Sequence, residues 1–592
     1  MGTQEFRQKL VPTLLLLAGC LCFEGCTNKD YDMNNVDLTM GFGADSLTLP
    51  SMSTAEILLE DVLNLKENSS VTTDEAGNYV FHIEGGQAAP SHPTIDPVKL
   101  TASTYDADIS INTAEILNSR RKAGKKKADS NIEVDFTSPK EKLFTYQGND
   151  TRVKSLNSAE TDETTLTLKI ATSSLAPMFP TMKELSITLP SYLQFSSLTS
   201  SNGTASQSGS KITISNIVTA NDITLRLKTH KLDFDKQDEY GSLTIKDGAI
   251  NLEGLFSLGI KATATGYVEN PTVKVSIAVG NTIVRKAEGT FSPTIDLHTL
   301  GEVAVTGIPD FLNDDKVEVD LNNPQLIIHL SNDMDIDGKV SGTVVSTKDN
   351  QTIATVTLPE MTVNRNGTTD ICVCRQKTQD LIATYGEANV YEVSNLSSLI
   401  ERIPDHIAIT HVQAQADITK KGSIEFGHSY TIQPSYEVNA PLAFGEKATI
   451  VYTDSLTGWA DDLEDVDLMD GTYFVVTADV ENRIPTYLTI SAHPVDKQGQ
   501  DMSDLLTIEI PQTVAASPDG STAVTTPITM KVTAKESDVF KKLDGLVYRL
   551  EGAAKADGQS AITGVTLNAK KQTLKLSNIK VKMVGKVIGD FN

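Results

Sequence analysis

Leu326-Ile327-Ile328-His329-Leu330-Ser331-Asn332 and Val475-Val476-Thr477-Ala478-Asp479-Val480-Glu481-Asn482 are two versions of one segment. Each is an apolar run interleaved with polar residues that stops at an asparagine, the pattern of a half-buried strand entering a turn. The likeness extends outward from them. Upstream, Val317-Glu318-Val319-Asp320-Leu321 parallels Glu464-Asp465-Val466-Asp467-Leu468, an offset of 147 residues from 321 to 468. Downstream, Val340 to Ser346 and Leu488 to His493 each run into a polar turn, and later strands end at Leu358-Pro359 and Ile510-Pro511. Leu399 to Ile403 and Val539 to Leu543 then supply one helical turn each, now 140 residues apart. The shrinking offset predicts an insertion of about a dozen residues in the first copy, between Asp370 and Val393. Two related β domains follow, near 271–430 and 431–592.

The rest of the chain reads the same way. Thr165 to Ala171, Ile212 to Ile217, Ile223 to Thr229, Val273 to Val279 and Thr573 to Val584 alternate between Gly, Asn, Asp and Pro boundaries, and a Ser/Thr/Gly hairpin is predicted over Ser197 to Ser210. Short helices are predicted at Thr54 to Leu63, Thr113 to Arg121, Leu396 to Arg402 and Ser537 to Leu543. This is an all-β pattern of tandem sandwiches, each with its own core. With 592 residues, a prior of about 150 per domain agrees with four units: a small N-terminal β unit at 46–140, a sandwich at 141–270, and the two copies.

The charge of −26, from 51 Lys and Arg against 77 Asp and Glu, repels a polyphosphate and excludes nucleic acid as a partner. Three of the five cysteines fall in the first 26 residues, which excludes a disulfide scaffold. That N-terminus places Arg7 and Lys9 before an apolar run, Leu10 to Ala18, too short to span a bilayer and shaped like a signal peptide over 1–26. Leu17-Ala18-Gly19-Cys20 matches a lipobox, and Phe23-Glu24-Gly25-Cys26 is a second candidate. Cys20 or Cys26 is the expected lipidation site, with 27–45 as a polar tether and the lipid as the only membrane contact.

The lipobox, Asp30-Tyr31-Asp32 with Asn35-Val36-Asp37, and Leu49-Pro50 before a short acidic helix together resemble the start of large multi-domain outer-membrane lipoproteins of the Bacteroidetes. The resemblance covers about the first 65 residues and implies an outer-membrane protein, periplasmic or surface-exposed, with no known activity. Asn482-Arg483-Ile484-Pro485 and the strand after it are similar to the corner of water-stress sandwiches, which implies an immunoglobulin-like or water-stress-like sandwich and nothing about ligands.

Few residues carry a chemical signal. The histidines are scattered, and His406 and His411, five apart in a strand, are expected on opposite faces; no Gly-x-Ser-x-Gly occurs. Asp333, Asp335 and Asp337 before Gly338 form the first half of a calcium loop, but the twelfth position is Val344. Trp459 beside the acidic run 461–465 could stack on a sugar; its counterpart at 312 is leucine, which favours a core anchor. Cys372 and Cys374 share a strand face and are read as buried apolar residues. Arg120 to Lys127 is a basic loop, solvated or a protease site. No catalytic residue, cofactor or metal is expected. The predicted function is a non-enzymatic envelope scaffold or binding module whose partner is an unknown protein or glycan. Two alternatives stand beside it: a fimbrillin-like subunit matured by cleavage near Arg121, and a glycan-binding lipoprotein of a polysaccharide-uptake system.

Overall fold

The computed structural model describes residues 40–42, 46–48, 53–63, 65, 70–85, 88–113, 132–297, 299–309, 312, 317–460, 466–468, 470–585 and 587–589. The chain is all-β, and its sheets are paired almost wholly antiparallel. Alternation sets the faces. Ile432–Pro441 alternates buried and half-buried residues along its whole length, so one edge of every pleat faces a core. Each such Leu, Ile or Val contributes about 1.5–3 kcal/mol by leaving water.

Three sandwiches share one strand order. In the first, one sheet runs Ile223–Asp233, Val153–Ile170, Thr272–Val279, Ser103–Ser110. The opposing sheet runs Ile132–Thr137, Ala249–Ala264, Thr181–Thr188, Lys211–Val218. The middle sandwich repeats this with Gly367–Cys374, Gln325–Asn332, Ile432–Pro441, Tyr79–Glu84 opposite Glu302–Ala304, His406–Ala416, Gly338–Lys348, Gln351–Val363. The third has Val524–Ala534, Tyr473–Asn482, Thr573–Val584 and the short strands Ser46–Thr48 and Ile57–Leu58. Opposite them lie Thr449–Thr457, Gly545–Ala553, Tyr487–Val495 and Thr513–Val514.

Each sandwich takes strands from the N-terminal segment, and the segment serves the three in reverse order. Residues 46–58 complete the third sandwich, Tyr79–Glu84 the middle one and Ser103–Ser110 the first. The expected N-terminal unit at 46–140 is therefore not a body of its own. Its strands are too short to close a core and bury their apolar faces in three others: Ile57, Tyr79, Phe81 and Ile109 are all core residues. At the far end Met40–Phe42 pairs with Val587–Gly589, bringing both ends of the described chain together.

Other boundaries move as well. Thr272–Val279 and Thr282–Phe291 belong to the first sandwich, and Ile432–Pro441 closes the middle one. An offset between similar segments gives a period but not its phase, so 271–430 and 431–592 each start a strand or more out of place. Ser197 to Ser210 is not a hairpin. Leu193–Ser200 pairs with Ile223–Asp233, whereas Thr204–Ser208 pairs with Lys211–Val218 in the other sheet. The cores are not independent either. Thr282–Phe291 pairs with Gly422–Glu425 across the first junction, and a single apolar cluster runs through the first and middle sandwiches and reaches Leu567 and Ala569 of the third. The third keeps a separate cluster around Trp459.

Candidate functional site

The paired asparagines do the same work. Asn332 donates from its amide to the carbonyls of Ile336 and Asn364, both at 3.0 Å, and accepts the Met334 N–H at 3.1 Å. Asn482 donates to Thr486 and Ala515, at 3.1 and 2.9 Å, and accepts the Ile484 N–H at 2.8 Å. Both are buried, and each ties the corner after its strand to the chain entering the neighbouring one. At the matching corner of the first sandwich Thr172, fully buried, donates to the Asn221 carbonyl at 2.9 Å. These are structural corners: every polar atom of the amide is already satisfied by protein.

The aspartate ladder after Asn332 is not drawn together around a point. Asp333 accepts the Thr431 N–H at 2.7 Å, Asp335 the Asn366 amide at 2.8 Å, and Asp337 the Arg365 guanidinium and Lys420 ammonium at 3.1 and 3.0 Å. The Arg365 hydrogen bonds, then Lys420, hold the Asp337 carboxyl down to about 2. Arg365 and Lys420 occupy the Asp335 and Asp337 carboxylates a calcium ion would need, and no cluster of three metal-ligating side chains occurs among the described residues.

Trp459 is buried beside Phe474, Val532 and Phe540 in the third core, so it offers no face to a sugar. Its counterpart Leu312 is buried too. Cys372 and Cys374 lie on the sheet face away from the main core, under helix Gln379–Tyr385 and against Ile327, Leu381 and Val390. The adjacent Cys374 thiol and burial push the Cys372 thiol well up, which makes it unreactive. His406 and His411 both face outward, correcting the expected opposition. A bulge at His411, with φ +50°, adds a residue and restores it to the outer face. Cys20, Cys26, Arg121 and the basic loop 120–127 lie outside the described residues.

The first sandwich contains a site that no motif in the sequence marks. Val153–Ile170 pairs with Thr282–Phe291 over its first half and with Thr272–Val279 over its second, and a bulge between Glu160 and Thr164 marks the change. Here the sheets part. The Lys142 ammonium lies 4.9 Å from the centre of the Tyr105 ring and ties the two edge strands together. Beside it opens a cavity of about 370 Å³. Leu166, Leu193, Leu232 and Leu252 form its buried floor, and the half-buried rings of Phe144, Tyr146 and Phe195 form its walls. Lys99, Thr101 and Gln147 are exposed at the rim. Interiors are packed like organic crystals, so a void of this size is in the range of ligand sites rather than packing defects. The signal was invisible because its lining residues come from nine separate strands, each patterned like any other.

No family model and no curated protein matches the chain. Among solved structures it is similar to that of a protein from Parabacteroides distasonis described only as secreted. The identity is 14%, over 50% of this chain and 82% of that one, with a TM-score of 0.35. So slight a likeness leaves the reading to this chain's own residues. Among the described residues no helix is long and apolar enough to cross a membrane, which has no bearing on strand-built barrels.

Proposed function

We propose that the chain is a lipid-anchored cell-envelope protein, held at the outer membrane, that works as a scaffold or binding module and not as an enzyme. The three sandwiches are read as copies of one module, a reading supported by their shared strand order and by the matched corners at Asn332 and Asn482. The observation that carries the proposal is the reversed path of the N-terminal segment. Lipidation at Cys26 would leave 14 residues before Met40, a reach of at most about 50 Å when extended. The third sandwich would then stand nearest the bilayer and the first would be outermost, with its cavity presented away from the membrane.

Labelling growing cells with an alkynyl palmitate tests the anchor. Wild-type protein should label and sediment with membranes. Cys26→Ser or Cys20→Ser, whichever removes the modified residue, should abolish both. A protein that never labels ends the proposal.

A fimbrillin-like second reading draws support from one feature: the donated strands of all three sandwiches precede Arg121. A cut there would leave them held without a covalent bond, and their removal would open one sheet edge in every sandwich for strand addition. N-terminal sequencing of envelope-purified protein decides it, since a mature start at the lipidated cysteine with no fragment beginning near 122 rules it out. The glycan-binding alternative loses its named residue, because Trp459 is buried.

A further inference from the structure

We infer that the cavity of the first sandwich is a binding site for a single-chain anionic amphiphile, a medium-chain carboxylate of about ten carbons. The inference stands on the cavity alone and does not depend on where the chain is anchored.

Size comes first. A volume of about 370 Å³ lies near the lower end of the range for small-molecule sites, about 300–1,000 Å³, which suits a small single-chain molecule of about ten carbons. Shape and polarity follow from the lining. Leucines at the floor and the rings of Phe144 and Phe195 present apolar surface, while Lys99, Thr101 and Gln147 stand at the exposed rim, an arrangement that suits a hydrocarbon chain with a polar head better than a sugar. A sugar needs a donor and an acceptor for each hydroxyl, and unpaired ones are costly once buried.

Charge selects the head group. No carboxylate lines the cavity, and Lys99 is the cation at its rim. Three threonine hydroxyls, of Thr161, Thr164 and Thr282, also line the cavity. Thr161, Thr164 and Thr282 all direct their hydroxyls at the Asp162 carbonyl, at 2.9, 3.3 and 3.2 Å. A carbonyl oxygen has two lone pairs, so one of the three protons is free to turn to another acceptor. An ammonium and a spare hydroxyl proton beside an apolar floor form a carboxylate site. In a chain of net charge −26, an acid-free rim carrying a lysine is a local exception that favours an anion.

Titration calorimetry on the full, detergent-free chain tests this with decanoate, decanol, decyltrimethylammonium and maltose. Decanoate should bind one to one, at least tenfold tighter than decanol and with no binding of the cation or of maltose. Lys99→Glu should weaken decanoate at least tenfold and leave decanol within twofold. Leu166→Trp, which fills the floor, should abolish binding. Because that change could unfold the sandwich, Val279→Trp at the half-buried wall is the second filling variant and should also abolish it, with an unchanged calorimetric melting profile as the check on folding. Decanoate binding that equals the cation's, that survives both filled variants, or that is displaced by preferred maltose binding would overturn the assignment, as would no binding at all.

Discussion

Asn332 and Asn482 show what one side chain can do at a corner. Each satisfies two carbonyls and one N–H that would otherwise be buried without partners. Asn482→Ala should therefore cost about 2–4 kcal/mol, read as an earlier urea transition in Trp459 fluorescence. Asn482→Asp should be nearly as damaging, because a carboxylate cannot donate to two carbonyls. A second residue-scale prediction concerns acid. Asp337 is only 11% exposed, and its carboxyl is lowered from 3.8 to about 2 by Arg365 and Lys420. A depressed carboxylate stabilises the fold above its unfolded pKa, and that contribution fades as pH falls through about 2. Both cations are partly solvated, so the effect should be about 1–2 kcal/mol. Asp337→Asn should lower the melting temperature at pH 7 and match wild type near pH 2. The asparagines were legible in the sequence as the ends of matching strands. The partners of Asp337 were not, because Arg365 and Lys420 reach it from loops 28 and 83 residues away.

At the scale of elements, the falling offset predicts extra chain between Asp370 and Val393. Residues 375–395 contain helix Gln379–Tyr385, a 3-10 turn and strand Val390–Glu392, which pairs in parallel with Gly367–Cys374. It covers a patch that includes both described cysteines. Native protein should therefore leave Cys372 and Cys374 unlabelled by a thiol reagent that labels both in denaturant. Replacing residues 378–389 by a short Gly-Ser linker should expose them, and labelling should rise with little change in the melting of the third sandwich. Trp459 belongs to a different cluster, and Trp459→Ala should cost about 3–5 kcal/mol through the hole it leaves. Calorimetry should show that loss confined to one transition, since the Trp459 cluster is separate from the apolar cluster shared by the other two sandwiches. Strand periods marked segments such as Val273 to Val279 and Thr573 to Val584 but not helix Gln379–Tyr385 or strand Val390–Glu392. They could not predict partners, because a period-two pattern states which face is buried and not against which strand it lies.

The whole molecule is organised by the return path of its N-terminal segment. The sequence marked a small β unit at 46–140 but not that its strands are shared among three bodies, since short strands with apolar faces look alike whether they build a domain or complete others. Tyr79 and Phe81 are 1% exposed and Ile109 2%, so this segment is held by three cores at once. Production of residues 27–121 and 122–592 as two chains should consequently yield a complex that co-elutes in gel filtration and separates only in denaturant. Independent elution would show that the donated strands are dispensable. The same path governs how the protein is made. Synthesis runs from N to C, yet Met40–Phe42 and Ser46–Thr48 find their seats on Val587–Gly589 and Thr573–Val584, which are made more than 500 residues later. The leading segment must wait, unpaired, until those strands are made. Loop closure over nearly the full chain makes that final step slow. A prematurely terminated chain would keep a raw sheet edge for quality-control proteases to recognise.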